Sequence, residues 1–175
     1  KEAEISTLKS IELNPNYANA HLNLAKIFKD LGKLKDAEIS TRKAIELKPD
    51  FAEAHLNLGG ILKDLGKLEA AEISSRKSIE LNPNDAKSHS NLGAILNDLR
   101  RFKEAEISTR KSIELKPDFA EAYSNLGNIL NDLGKSEEAE ISTRKSIKLN
   151  PNNANAHLNL AKILKDLGKL KDAEI

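Results

Sequence analysis

Apolar residues along this chain fall in short bursts at helical spacing, and the bursts themselves return every 34 residues. Segments beginning at Ala18, Ala52, Ala86, Ala120 and Ala154 align without gaps. Leu24, Leu58, Leu92, Leu126 and Leu160 fall in register, as do Ala37, Ala71, Ala105, Ala139 and Ala173. So do Pro15, Pro49, Pro83, Pro117 and Pro151, which are all the prolines of the chain. A fixed period of this length marks an array in which each repeat is one supersecondary unit. Residues 1–175 therefore read as a single array. A half repeat, 1–17, precedes the whole repeats 18–51, 52–85, 86–119 and 120–153, and a partial repeat, 154–175, follows.

Each repeat reads as two helices, and the stretch from Ala52 to Pro83 shows why. Leu56, Leu58, Ile61, Leu62 and Leu65 form an apolar stripe at helical spacing. Gly66 stops that helix as a residue free to take the left-handed C′ conformation. The second helix is expected to turn Ala71, Ile73, Ile79 and Leu81 toward the core. Asn82-Pro83 ends it, because proline lacks the N–H donor and disfavours helix in the residue before it. Asp50 or Asn84 is expected to cap the next helix, and Asp50-x-x-Glu53 and Asp118-x-x-Glu121 have the spacing of capping boxes. Small residues recur in register: Gly59, Ala71 and Ser78, then Gly93, Ala105 and Ser112. They let helix axes approach toward the lower end of the ~8–10 Å range. Two helices alone cannot bury both faces, so successive pairs must stack. The expected fold is all-α, a right-handed superhelical solenoid of antiparallel helix pairs with a 34-residue period.

Composition narrows the function. The 28 basic and 27 acidic residues leave a net charge of +1, without the basic excess that nucleic-acid binding leans on. No apolar run approaches the ~20 residues of a membrane helix. Cysteine is absent, which excludes disulfides, thiolate metal sites and thiol nucleophiles. No signal peptide opens the chain, which points to the cytoplasm. Methionine is absent even at position 1, so the chain reads as part of something longer, or as a processed or engineered piece.

Leu at the seventh place of the repeat, Gly or Ala at the eighth, Ala at the twentieth and Pro at the thirty-second together resemble the tetratricopeptide repeat, over the whole chain. Two places depart from that pattern. The fourth, where the family favours Trp, holds His21, His55, His89, Tyr123 and His157. The twenty-fourth, where it favours an aromatic, holds Thr7, Thr41, Ser75, Thr109 and Thr143. Packing between helices is expected to be thinner there. Ser88-His89-Ser90-Asn91-Leu92-Gly93 and Ala122-Tyr123-Ser124-Asn125-Leu126-Gly127 look like repeats from the superhelical arm of O-linked GlcNAc transferases. The likeness is confined to that arm, and nothing in the chain is similar to a glycosyltransferase domain.

The second, sixth, ninth and thirteenth places share one face of the first helix, and the family resemblance implies that this face lines a concave groove. The sixth place is Asn23, Asn57, Asn91, Asn125 and Asn159. The thirteenth is Asp30, Asp64, Asp98, Asp132 and Asp166. Lys26, Asn128 and Lys162 stand at the ninth, beside the small Gly60 and Ala94, which open space for a ligand side chain. In the transferase arm the sixth-place asparagine holds peptide backbones. An amide offers both donor and acceptor, which suits an extended peptide read through its backbone, and the aspartates would attract a basic segment. Against this stands a plainer reading: the asparagines brace neighbouring helices, and Lys29, Lys63, Asn97, Asn131 and Lys165 neutralise the aspartates locally.

Other chemistry fares worse. The carboxylate clamp of chaperone-binding arrays uses Lys at the fifth place, where this chain has Leu22, Leu56, Ser90, Ser124 or Leu158, and a basic residue at the sixth of a later repeat, where this chain always has Asn, so that clamp is absent. The histidines are spaced on the order of 10 Å apart by helix packing, too far for shared zinc ligation, and read as satisfied, partly buried side chains. Gly134-Lys135-Ser136 ends a helix, whereas a phosphate loop starts one. No nucleophile–base set is apparent, so no enzyme activity and no cofactor are expected. The chain is expected to bind an extended protein or peptide, not nucleic acid or membrane. Two alternatives remain: the substrate-recognition arm of a longer O-GlcNAc transferase-like enzyme, and a self-assembling or spacer array. For the last, the ends, which carry no polar capping repeat, would stack head to tail.

Overall fold

The computed structural model describes residues 2–168; the places of Ala173 and Ile175 in a last second helix lie outside the described residues. Among the described residues there are ten helices and no strand. They are α1 (Glu2–Leu13), α2 (Ala18–Asp30), α3 (Leu34–Leu47), α4 (Ala52–Asp64), α5 (Leu68–Leu81), α6 (Ala86–Asp98), α7 (Phe102–Leu115), α8 (Ala120–Asp132), α9 (Ser136–Leu149) and α10 (Ala154–Asp166). The chain forms two compact units, Lys1–Pro83 and Asn84–Ile175. Within the first, α1 to α5 pack each on the next, and α2 also meets α4. Within the second, α6 to α10 do the same, and α8 also meets α6 and α10. Among the described residues no close backbone approach joins α3 to α5 or α7 to α9. In each unit the first helices of the pairs therefore sit close together on one side, and the second helices are splayed on the other.

Side-chain size explains the hairpins. Ala37, Ala71, Ala105 and Ala139 are fully buried, and so, within 1%, are Ser78, Ser112 and Ser146. A buried hydroxyl needs a partner. Ser78, Ser112 and Ser146 donate to the carbonyls of Ala52, Ala86 and Ala120 at 2.9, 2.7 and 2.7 Å, tying each second helix to the start of the first. Large apolar side chains come from the first helices: Ile61, Leu62, Ile95, Leu96, Ile129, Leu130, Ile163 and Leu164 are all essentially inaccessible to solvent.

This division corrects one expectation. Ile73 does not turn toward the core; it is 71% exposed, as are Ile107 and Ile141, with Ile39 close behind. The buried face of α5 is Ala71, Ser74, Ser75 and Ser78, because only small residues allow the approach that the hairpin needs. Ile73 stands on the opposite side.

The turns show a second difference. The N-caps of α4 and α8 are Phe51 and Phe119, with no side-chain cap, so Asp50 and Asp118 do not form capping boxes. Lys48–Phe51 is a four-residue turn closed by the Phe51 N–H on the Lys48 carbonyl at 3.1 Å. That turn places the cap one residue later than the proline spacing suggests. Phe51 then packs on Leu22, Ala44 and Ala54. Asp85 occupies the same place before α6 and does cap it, accepting from the Ser88 N–H at 2.9 Å, as Asn153 does for α10 from the Ala156 N–H.

After the first helices, Gly32, Gly66, Gly134 and Gly168 adopt φ of 71 to 75°, and Arg100 is held at φ 60° in the same place. The Arg101 N–H closes the turn on the Leu96 carbonyl at 2.8 Å. A side chain in this region carries a steric penalty that glycine lacks. Arg100→Gly should therefore raise stability by about 1 kcal/mol, read as an upward shift of the chemical-denaturation midpoint. An unchanged midpoint would show that Arg100 gains compensating contacts.

Repeats are also stapled by charge. Glu38 accepts from its own helix's Arg42 and from Lys67 of the next repeat, at 2.9 and 2.7 Å. Glu106 is held likewise by Arg110 and Lys135, at 2.8 and 3.0 Å. The Lys67 hydrogen bond, more than offsetting partial burial, holds the Glu38 carboxyl below its ordinary range. At Glu106 burial pushes upward, and the Lys135 and Arg110 bonds outweigh it. Folded-state values below the unfolded value mean stability that is present above the unfolded pKa and lost as pH falls through the folded one. Stability should decline on acidification below the ordinary glutamate value of 4.5, and Lys67→Met should flatten that decline in acid titrations followed by circular dichroism.

Candidate functional site

The stripe expected on the first helices exists, and its asparagines are not free-standing. Asn57 on α4 is half-buried and donates through Nδ2 to the Thr41 hydroxyl of α3 at 3.2 Å. Thr41 donates its own hydroxyl hydrogen to the Ala37 carbonyl at 2.7 Å, so its oxygen must accept. That fixes the amide orientation, with Nδ2 toward Thr41 and Oδ1 without a hydrogen bond among the described residues. Asn125 on α8 and Asn159 on α10 take a different partner, Ser90 at 3.0 Å and Ser124 at 3.5 Å, each on the first helix of the preceding repeat. Asn91 is half-buried and Asn23 exposed.

The sequence admits the brace but not its partners, whose signal stands at the fifth place. Where that place is serine, as at Ser90 and Ser124, the next asparagine bonds to it. Where it is Leu22, Asn57 reaches Thr41 instead. Bracing uses one amide hydrogen of each asparagine. The carbonyl oxygens of Asn57, Asn125 and Asn159 accept no hydrogen bond among the described residues.

The aspartates are tied as well, by the preceding repeat and not by their chain neighbours alone. Lys29 reaches Asp64 at 3.0 Å, Asn97 donates to Asp132 at 3.1 Å, and Asn131 donates to Asp166 at 2.9 Å. Lys63 lies 3.7 Å from Asp64, and Lys162 lies 3.8 Å from Asp132. Asp30 and Asp98 are exposed. At the ninth place Lys26 pairs with Glu53 at 2.7 Å, Asn128, Gly60 and Ala94 are half-buried, and Lys162 is exposed. The structure thus brings the predicted residues onto one face in each unit and adds a lattice of repeat-to-repeat bonds among them.

The histidines have a different occupation. His21, His55 and His157 bond through Nε2 to the carbonyls of Pro15, Pro49 and Pro151 at 2.8, 3.0 and 2.9 Å. Proline ends the preceding helix, and the ring closes the loop that follows. Lys135 and Ser136 are engaged with Glu106 and Asn131, and Gly134 ends α8 with positive φ.

Comparison with known proteins agrees with this architecture. Family models described as tetratricopeptide repeat match residues 7–39, 76–107 and 143–175, residues 52–85, and residues 120–153. No curated protein shows significant sequence similarity to the chain. Among solved structures, YrrB, described as a TPR protein with an unusual peptide-binding site, superposes with a TM-score of 0.70 at 23% identity, covering 96% of this chain and 87% of that one. MamA gives 0.72 at 26% identity, covering 86% and 88%. TTC0263 of Thermus thermophilus, a thermophilic TPR protein, gives 0.78 at 20% identity, covering 93% and 89%. The matched repeats span most of the chain: it belongs to the tetratricopeptide-repeat family. Its class is that of helical-repeat protein-interaction scaffolds.

Proposed function

We propose that each unit holds an extended polypeptide along its first-helix face, through its asparagines: Asn23 and Asn57 in the first unit, and Asn91, Asn125 and Asn159 in the second. The observation that carries this reading is the orientation of the row. Bracing pins Asn57, Asn125 and Asn159 through one amide hydrogen each and leaves their carbonyl oxygens without a hydrogen bond among the described residues. A pinned acceptor costs little conformational entropy on binding, and peptide N–H groups are its natural complement. Lys26, Asn128 and Lys162 flank the row. Asp64, Asp132 and Asp166 hold repeats in register, and with Asp30 and Asp98 they keep negative charge at the edge of the same face. The site of YrrB is called unusual for a TPR protein, and its fold likeness supports peptide binding for this chain only at the level of the scaffold.

The test separates bracing from binding. A peptide array is probed with the wild type, with Asn57→Ala/Asn91→Ala/Asn125→Ala, and with Ser90→Ala/Ser124→Ala. The serine variant loses two braces, at about 1 kcal/mol each, and binds the peptide more weakly than the wild type without losing it. The asparagine variant loses binding under conditions where its helicity is intact. Equal binding by the asparagine variant and the wild type would overturn the proposal.

A further inference from the structure

In the unit Asn84–Ile175 the hydroxyls of Thr109 on α7 and Thr143 on α9 are buried with no hydrogen-bond partner among the described residues. Both side chains are fully inaccessible to solvent. A buried hydroxyl left in this state costs free energy, and folded proteins rarely leave one so. Thr41, at the same place in the first unit, has no such deficit. It donates to the Ala37 carbonyl at 2.7 Å and accepts from Asn57 Nδ2 at 3.2 Å.

Two other places account for the difference. At the eighth, the first whole repeat has Ala25, whereas the repeats of Thr109 and Thr143 have Gly93 and Gly127. Each threonine hydroxyl occupies the space that a Cβ on its glycine would fill. At the fifth, Leu22 offers no acceptor, whereas Ser90 and Ser124 take the amides of Asn125 and Asn159 at 3.0 and 3.5 Å. The threonine that serves Asn57 in the first unit is thus present beside Asn125 and Asn159 in register, and goes unused.

We propose that Thr109 and Thr143 are second seats for Asn125 and Asn159, and so positioning residues for the peptide-binding role assigned above to those asparagines. A change of χ1 takes the threonine hydroxyl out of the glycine space and onto the Ala105 or Ala139 carbonyl, one helical turn back, as in Thr41. Its oxygen then accepts the asparagine amide. This seating makes one hydrogen bond more than the serine seating at the threonine itself, and it frees the serine hydroxyl to bond its own helix. A peptide that favours either seating shifts the balance between them. The serine seat lies on a first helix and the threonine seat on a second helix, so the change re-aims the carbonyl oxygen. Such freedom answers a mismatch of spacing. Packed helices present an acceptor every ~8–10 Å, whereas an extended strand turns an N–H to the same side every second residue, about 6.6 Å. Acceptors with two seats can follow the strand; Asn57, with Leu22 in place of a serine, has one.

Three-bond couplings from threonine Cγ2 to the backbone nitrogen and carbonyl carbon read χ1 without any peptide. In the wild type, Thr109 and Thr143 should differ from Thr41. In Ser90→Ala/Ser124→Ala, both should adopt the Thr41 rotamer. Affinity for a peptide selected on the array gives a readout that a merely structural threonine would not move. Thr109→Val/Thr143→Val alone should bind within about twofold of the wild type, because the serine seats remain. All four substitutions together, at unchanged helicity, should weaken binding on the order of tenfold beyond the product of the two separate effects. Threonine couplings unmoved in the serine variant, or four substitutions no worse than that product, would overturn the second seats. Wild-type binding by the asparagine variant would overturn their part in peptide recognition and leave the rotamer change standing, which separates the two failures.

Discussion

Gly127 should respond to two substitutions with opposite signs: alanine stabilises the protein by about 0.5–1 kcal/mol, and valine destabilises it by about 3 kcal/mol. A Cβ added at Gly127 meets the Thr143 hydroxyl, the Ala139 carbonyl oxygen at 3.2 Å and Thr143 Cβ at 3.3 Å. The first contact is with the end of a rotatable side chain, and that hydroxyl is buried without a hydrogen-bond partner. The first whole repeat already contains the alternative. There Ala25 stands at the eighth place, and Thr41 has its hydroxyl on the Ala37 carbonyl at 2.7 Å. Alanine at 127 should drive Thr143 into the same rotamer, satisfying its hydroxyl while removing a helical glycine. Valine adds two γ carbons that would have to enter the space of the Ala139 backbone, which no rotamer change relieves. Chemical denaturation of the two variants reads both effects. A loss of several kcal/mol for alanine would show that Thr143 is locked.

Leu130→Ala should cost about 3 kcal/mol. Leu130 is 1% exposed and sits with Leu126, Ala139 and Ile163, with Ile113 and Leu167 packed against them. This cluster joins α8 to the helices on both sides of it, so the cavity falls where one repeat holds the next. Ile141 carries a side chain of the same carbon count 71% exposed on α9, and Ile141→Ala should move stability by no more than about 0.5 kcal/mol. Equal effects for the two would contradict the outward placement of the isoleucines.

How far the sequence reaches is clear from these same residues. The 34-residue period, the helix-ending glycines and the Leu and Ile core of the first helices are legible because period and backbone conformation act locally. The facing of the second helices is not. A hydrophobic pattern places Ile73 inward, but the buried face is Ala71, Ser74, Ser75 and Ser78, chosen for size and not for apolarity. Asp50 has the spacing of a cap, but the turn that displaces it is not visible in spacing alone. The asparagine row is legible as a shared face. Its partners are not, since each lies in a different helix, at Thr41, Ser90 or Ser124, and only tertiary packing brings them together.

The most direct measurement is of the asparagine side chains themselves. A peptide selected on the array is titrated into ¹⁵N-labelled protein, and the side-chain amide signals of Asn57, Asn125 and Asn159 are followed. The account predicts saturable shifts of these signals, with the α3 and α5 ridge around Ile39 and Ile73 unperturbed. Shifts confined to that ridge, with the asparagine amides unmoved at saturation, would contradict it.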